Sequence, residues 1–141
     1  MSIEIGGYIL ELDKEATEKV YKKIRLGGSQ ECSCDYCKNY IEAIDSIFPE
    51  EITIFFDVAG IDKNKDAEVY ELCEESPGIH HYGGEYYLLA KVIEHPKTPP
   101  KLGEYFNYSF IEPSPLVQEE FEVEGAVCFT FDTMVPWKLN V

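Results

Sequence analysis

Three cysteines fall within six residues, in the sequence CSCDYC at positions 32–37. Thiolates are soft ligands that suit tetrahedral zinc, and the spacing of Cys32, Cys34 and Cys37 lets three thiols converge at the start of a helix. A structural zinc site takes four ligands, and the sequence contains no second Cys-x-x-Cys or Cys-x-x-His pair. The fourth ligand would have to be Cys73, His80, His81 or a water molecule.

The incomplete ligand set makes free thiols near the entrance of a helix the main prediction, with no metal or other cofactor assigned. Cys37 fits this interpretation because it shares an apolar helical face with Ile41 and Ile44. Cys73 and Cys128 fall in predicted strands and are expected in the core. Zinc held by the three clustered cysteines is the sharper alternative, and a redox or reactive thiol site is a further one.

A second pattern of ligand-type residues copies the start of a calcium-binding EF-hand loop. Asp62, Asn64 and Asp66 occupy the first three ligand positions. The match then fails, because Ala67 stands where the loop needs Gly and Cys73 stands where it needs a bidentate Glu. An exposed loop between a helix and a strand is the better prediction for this segment.

Two adjacent histidines, His80 and His81, precede Tyr82 and a Gly-Gly pair. Such a loop could present imidazoles to a substrate or a metal. The sequence has no Gly-x-Ser-x-Gly turn, no phosphate-binding loop and no His-Glu-x-x-His helix that would recruit these histidines into a known mechanism. No catalytic residue is therefore assigned, and an enzyme is disfavoured.

Acidic residues dominate the charge of the chain. The 27 Asp and Glu residues outnumber the 12 Lys and Arg residues, which gives a net charge of −15. This field repels phosphate backbones and anionic lipids, so it predicts neither a nucleic-acid partner nor a membrane, but a protein with a basic surface. Solubility alone is the competing explanation. One acidic run is predicted to be the solvated face of a strand: Glu119, Glu120, Glu122 and Glu124.

The N-terminal residues MSIEIGGYILELDKE lack the basic and apolar regions of a signal peptide, and no apolar run reaches the length of a membrane span. The five cysteines are an odd number, which disfavours a disulfide framework. Both observations predict a protein of the reducing cytoplasm.

Helices are predicted in the first half of the chain. Gly6 and Gly7 suit the turn of a first hairpin, and Asp13 can cap a helix from Lys14 to Ile24. Apolar residues at 3.6-residue spacing predict a second helix from Asp35 to Phe48.

The segment from Glu50 to Ala59 is ambiguous, because the sequence ITIFFDV also suits a buried strand. Pro49, followed by two glutamates, makes a good first turn, and Gly60 is a typical helix terminator. These end signals favour a helix.

Strand-forming residues dominate from Ala67 onward and predict an antiparallel sheet of about five strands, packed against two or three helices. Residues 77–84 and 95–103 are predicted to be loops. Val127, Phe129 and Phe131 alternate with polar residues, which is typical of a sheet with one face against helices. The whole chain, 1–141, is thus expected to form a single α+β domain.

The sequence CSCDYCKNY, followed by a Pro-Glu-Glu segment and a G-x-Y-Y-L-x-A hairpin, resembles a small family of bacterial proteins that has no assigned activity. The resemblance covers Cys32 to about Val92. It implies a compact bacterial cytosolic domain and transfers no functional residue. The family pattern is carried here by Cys32, Cys34, Cys37, Asn39 and Tyr40.

Two functions from different classes follow. The first is a non-enzymatic protein-binding domain that uses an acidic, Tyr-rich surface, for example an immunity or inhibitor protein that neutralises a basic toxin. The alternative is a zinc- or thiol-dependent protein centred on Cys32, Cys34 and Cys37. The identity of the partner and the oligomeric state do not follow from the sequence.

Overall fold

The structure is a computed structural model that describes residues 1–111, 119–121 and 125–139. Within these residues the chain forms seven strands, three longer α-helices, one four-residue helix and one 3-10 helix. The strands are β1 Ser2–Ile5, β2 Tyr8–Leu12, β3 Glu68–Ser76, β4 Ile79–Glu94, β5 Lys101–Leu102, β6 Phe106–Ile111 and β7 Ala126–Pro136. The helices are α1 Lys14–Lys23, α2 Gly28–Glu31, α3 Asp35–Ile47, α4 Glu50–Ala59 and the 3-10 helix Glu119–Phe121.

The strands form one antiparallel sheet in the order β1-β2-β4-β7-β6-β5, with β3 also paired to β4. Strand β4 is 16 residues long, so one of its edges pairs with β3 over residues 79–85 and with β2 over residues 90–94. Its other edge pairs with β7 over residues 79–89. The predicted α+β class with an antiparallel sheet is confirmed, although the sheet has seven strands rather than about five.

The prediction of a loop at residues 77–84 is wrong, because β4 already begins at Ile79. Gly83 and Gly84 indicate close packing here rather than a turn. A Cβ atom on Gly83 would lie 2.5 Å from the ring of Tyr70, and one on Gly84 would lie 2.8 Å from the ring of Phe131. The two glycines therefore let aromatic rings cover the strand on both faces.

The helices α1, α3 and α4 begin at the predicted residues, and α1 and α3 each end one residue earlier than predicted. The Oδ1 atom of Asp13 accepts a hydrogen bond from the amide of Ala16 at 3.1 Å and caps α1. The segment Glu50–Ala59 is helical, as its end residues predict, and Gly60 ends it in the left-handed conformation with φ 83°. No helix in the described part of the chain is long and apolar enough to cross a bilayer.

An aromatic core lies between the helices and one face of the sheet. The predicted alternation in β7 is confirmed, since Val127, Phe129 and Phe131 share the buried, helix-covered face. Ring contacts join α4 to the sheet, with the centroids of Phe56 and Phe129 5.3 Å apart. Seven of the ten tyrosines are buried: Tyr8, Tyr21, Tyr40, Tyr82, Tyr86, Tyr87 and Tyr108.

A buried carboxylate holds α2 in place. Asp66 is fully buried, and its Oδ1 and Oδ2 atoms accept hydrogen bonds from the hydroxyl and the amide of Ser29 at 2.6 and 3.0 Å. The backbone oxygen of Asp66 accepts from the amide of Gly28 at 2.7 Å. Because Cys32 directly follows α2, this link fixes where the cysteine segment starts. Burial raises the pKa of Asp66, and the hydrogen bonds from Ser29 offset part of that rise.

Asp66 should make stability depend on pH. Its folded-state pKa is raised above the ordinary value of 3.8, so the folded protein binds this proton more tightly than the unfolded chain. Ionisation therefore lowers stability as the pH rises above about 3.8. We expect the unfolding free energy of the wild type minus that of Asp66→Asn, both measured by urea unfolding, to decrease as the pH rises. Asp57→Asn, which removes the same charge from an exposed position, serves as the control, and a difference that grew with pH for Asp66→Asn would contradict this assignment.

Candidate functional site

The three clustered cysteines converge in space. The Sγ atoms of Cys32, Cys34 and Cys37 all lie within 4.8 Å of one another. Cys32 directly follows α2, Cys34 is the N-cap of α3, and Cys37 lies in the first turn of α3. Cys32 and Cys34 are exposed, whereas Cys37 is buried. The three sulfur atoms are therefore close enough to hold one metal ion.

The thiols of Cys34 and Cys37 differ in their electrostatic environment. The amide of Cys37 donates to the sulfur of Cys34 at 3.4 Å, and the thiol of Cys32 donates to the same sulfur at 3.2 Å. These hydrogen bonds lower the pKa of Cys34, because they stabilise its thiolate. Burial instead raises the pKa of Cys37. The helix entrance thus combines an accessible thiol that ionises readily with a protected thiol that does not.

The predicted fourth ligands do not join this cluster. Among the described residues, no further Cys, His, Asp or Glu ligand atom lies within 4.8 Å of all three sulfur atoms. Cys73 and His81 instead lie opposite each other on β3 and β4, in a separate group with Glu75. The expectation of a buried Cys73 is also wrong, since β3 is an edge strand that leaves this thiol exposed, whereas Cys128 is buried as predicted.

A cleft of about 540 Å³ opens beside the exposed thiol of Cys34. The imidazole of His80 packs against the indole of Trp137, with ring centroids 4.8 Å apart. The Nε2 atom of His80 lies 3.3 Å from the carboxylate of Glu74, and the Nδ1 atom lies 3.6 Å from that of Glu71. This Nδ1 atom is buried and has no hydrogen-bond partner within the described residues. The cleft is lined by Cys34, Asp35, Tyr36, Glu74, Gly78, His80 and Trp137.

Asn39 positions Trp137, a role that sequence reasoning missed. The buried side chain of Asn39 donates to the backbone oxygen of Pro136 at 3.2 Å and accepts from the amide of Lys138 at 2.6 Å. These two bonds hold the backbone on both sides of Trp137, whose own amide donates to Gly78 at 2.8 Å. The only sequence signal for Asn39 is its place in the Cys-x-Cys-x-x-Cys-x-Asn pattern, which says nothing about Trp137.

The other candidate residues have structural roles where they are described. Asp66 is buried rather than part of the predicted exposed loop, and both of its carboxylate oxygens accept hydrogen bonds from Ser29. Asp66 is therefore not available to bind a calcium ion together with Asp62 and Asn64. In the acidic run, Glu119 and Glu120 belong to a 3-10 helix instead of the predicted strand. This helix places Phe121 in the core, where its ring packs against those of Tyr21 and Tyr87. Glu122 and Glu124 lie outside the described residues.

Comparison of the chain with protein-family models, with curated proteins and with solved structures finds no match. The resemblance to a bacterial family with the clustered cysteines therefore stays a prediction. Functional inference depends on the geometry and chemistry of the site itself.

Two of the exposed thiols, those of Cys34 and Cys73, should differ in reactivity. Hydrogen bonds lower the pKa of Cys34, whereas the neighbouring carboxylate of Glu75 raises the pKa of Cys73. At a pH of about 8 we expect iodoacetamide to alkylate Cys34 faster, because more of it is thiolate. Peptide mass mapping over time, with a chelator present, measures both rates.

The same chain unfolded in urea is the control for this experiment. The local hydrogen bonds are lost there, so the two alkylation rates should converge. Faster alkylation of Cys73 in the folded protein would show that the environment assigned to Cys34 is wrong.

Proposed function

We propose that this protein binds a zinc ion through Cys32, Cys34 and Cys37 and presents it to a ligand in the adjoining cleft. The observation that carries the proposal is the convergence of the three sulfur atoms within 4.8 Å. Zinc–thiolate bonds of about 2.3 Å in a tetrahedral site separate the sulfurs by about 3.8 Å. Small side-chain rotations therefore suffice to bring these thiolates around one ion.

The electrostatics of the helix entrance support thiolate coordination. The backbone amide of Cys37 already donates to the sulfur of Cys34, and the N-terminus of α3 favours negative charge. Burial opposes ionisation of Cys37, and a divalent cation next to its sulfur would reverse that preference. Zinc binding would thus release protons and strengthen with rising pH.

Three protein ligands leave one tetrahedral position for water or for a ligand from outside, as in exchangeable rather than closed zinc sites. Cys34 lines the cleft, so that position would be reached from it. The walls of the cleft are aromatic at Tyr36 and Trp137 and acidic at Asp35 and Glu74. This chemistry favours a small ligand or peptide end that carries a metal-binding atom and a positive charge.

Tyrosine burial is the reason to prefer this proposal over a Tyr-rich protein-binding surface. Only Tyr36, Tyr70 and Tyr105 are exposed, and one of them lines the cleft itself. Most of the tyrosines that motivated the surface hypothesis pack in the core instead.

Zinc titration of the reduced full-length chain tests the proposal. We expect native mass spectrometry to detect an equivalent of zinc that Cys34→Ser loses and that Ser33→Ala, a change in the same segment, retains. Zinc at 100 times its dissociation constant should stabilise the wild type by about 2.7 kcal/mol, and a chelator should remove this gain. Zinc binding unchanged in Cys34→Ser, or a native mass that reveals disulfides among the three cysteines, would refute the site.

A second candidate function, capture of a basic protein, is supported by one acidic patch. Glu68 and Glu85 are opposite each other in the β3–β4 pair, where like charges destabilise a sheet. Burial, together with the charge of Glu68, raises the pKa of Glu85. Tyr70 lies next to this pair on the same face of the sheet, two residues along β3 from Glu68, with its ring over Gly83. A cation on a partner would relieve this repulsion, and Tyr70 would contribute apolar contact area.

Binding of a lysine-rich peptide measures the contribution of this patch. We expect affinity to fall with increasing ionic strength and to be weaker in Glu68→Gln/Glu85→Gln. The variant Glu42→Gln/Glu104→Gln removes the same charge from exposed positions elsewhere and should bind nearly as the wild type does. Equal losses in both variants would mean that only the overall charge attracts the peptide.

A further inference from the structure

A second group of ligand-type side chains lies on the face of the sheet opposite the helices. The Sγ atom of Cys73, a carboxylate oxygen of Glu75 and a ring nitrogen of His81 all lie within 4.8 Å of one another. One β-hairpin supplies all three, since Cys73 and His81 are direct cross-strand partners in β3 and β4. The pairing holds these two side chains side by side without any ligand.

The imidazole of His81 is held on its far side by a carboxylate. Its Nε2 atom lies 2.9 Å from Oδ1 of Asp132, and the same Oδ1 atom accepts from the side-chain amide of Asn107 at 3.0 Å. A carboxylate oxygen can only accept, so Nε2 carries the hydrogen and a neutral ring keeps its lone pair on Nδ1. This Nδ1 atom faces the carboxylate of Glu75 at 3.9 Å. Metal-bound histidines are typically oriented by such a carboxylate on the other ring nitrogen.

The thiol and the carboxylate of the group complete a mixed donor set. The thiol of Cys73 donates to Glu75 at 3.1 Å, so a proton occupies the space where a cation would bind both groups. Loss of that proton would leave one thiolate, one carboxylate and one neutral imidazole, whose summed charge balances a divalent ion. Sulfur, nitrogen and oxygen donors together suit zinc better than calcium or magnesium.

We propose that Cys73, Glu75 and His81 form a second zinc site, with Asp132 as the residue that positions His81. The site shares no residue with the cluster at positions 32–37 and lies on the other face of the sheet, so it can be tested independently of the proposed function. Three protein ligands, of which Cys73 is exposed, leave a coordination position open to solvent.

Cobalt titration of the full chain carrying Cys32→Ser/Cys34→Ser isolates this site from the first cluster. We expect one equivalent of Co²⁺ with a sulfur-to-cobalt charge-transfer absorption, which disappears in the added Cys73→Ala variant. Asp132→Ala should keep the absorption but weaken Co²⁺ affinity by about 10- to 100-fold, because the ring of His81 loses its orienting acceptor. Glu42→Gln removes a charge from an exposed position elsewhere and should bind Co²⁺ as its parent does.

The competing explanation is a fully protonated His81 that bridges Glu75 and Asp132 as an ion pair. ¹⁵N NMR of the imidazole in the same protein distinguishes the two, since Nδ1 of the zinc-bound ring carries no hydrogen and its resonance should shift when zinc is added. An unchanged, doubly protonated ring at saturating zinc would overturn the proposal, as would Co²⁺ binding without a sulfur band or binding that Cys73→Ala leaves intact.

Discussion

Strand β4 and the alternation of its side chains determine where chemistry can occur in this protein. Pairing with β3 on one edge and β7 on the other fixes the strand over its first half, so successive side chains must point to opposite faces. His80 therefore faces the cleft beside α3, and His81 faces the far side of the sheet. Two adjacent histidines thus have different neighbours: His80 lies near Trp137, Glu71 and Glu74, and His81 lies near Cys73, Glu75 and Asp132.

The position of the cysteines at 32–37 depends on buried polar contacts as well as on the sheet. Ser29 and Asp66 hold the residues before Cys32, and Asn39 holds the backbone around Trp137. A buried polar side chain is stable only when its hydrogen bonds are satisfied, so each of these contacts fixes one arrangement. The thiols at the start of α3 and the far wall of the cleft are positioned by separate anchors, one before α3 at Ser29 and one within α3 at Asn39.

Both proposed metal sites bring together side chains that repel one another when they are ionised. The chain has a net charge of −15, and each site places thiols or carboxylates within a few ångströms of one another. Without a cation, such groups lie this close only when a proton shared in a hydrogen bond prevents repulsion between two negative charges, as between Cys73 and Glu75. A divalent ion offsets that repulsion directly.

The sequence by itself predicted features that depend on near neighbours: the α+β class, the end signals of α4 at Pro49 and Gly60, the alternation in β7, and the placement of three cysteines at a helix start. It missed the start of β4, because Gly83 and Gly84 suggest a turn unless the rings of Tyr70 and Phe131 are known to lie against them. The tertiary structure alone decided that Asp132 supports His81, that Asn39 holds Trp137, and that Cys73 lies at an exposed edge. These contacts join residues up to 99 positions apart through strand register and helix packing, and no local pattern encodes which distant residues the folded backbone brings together.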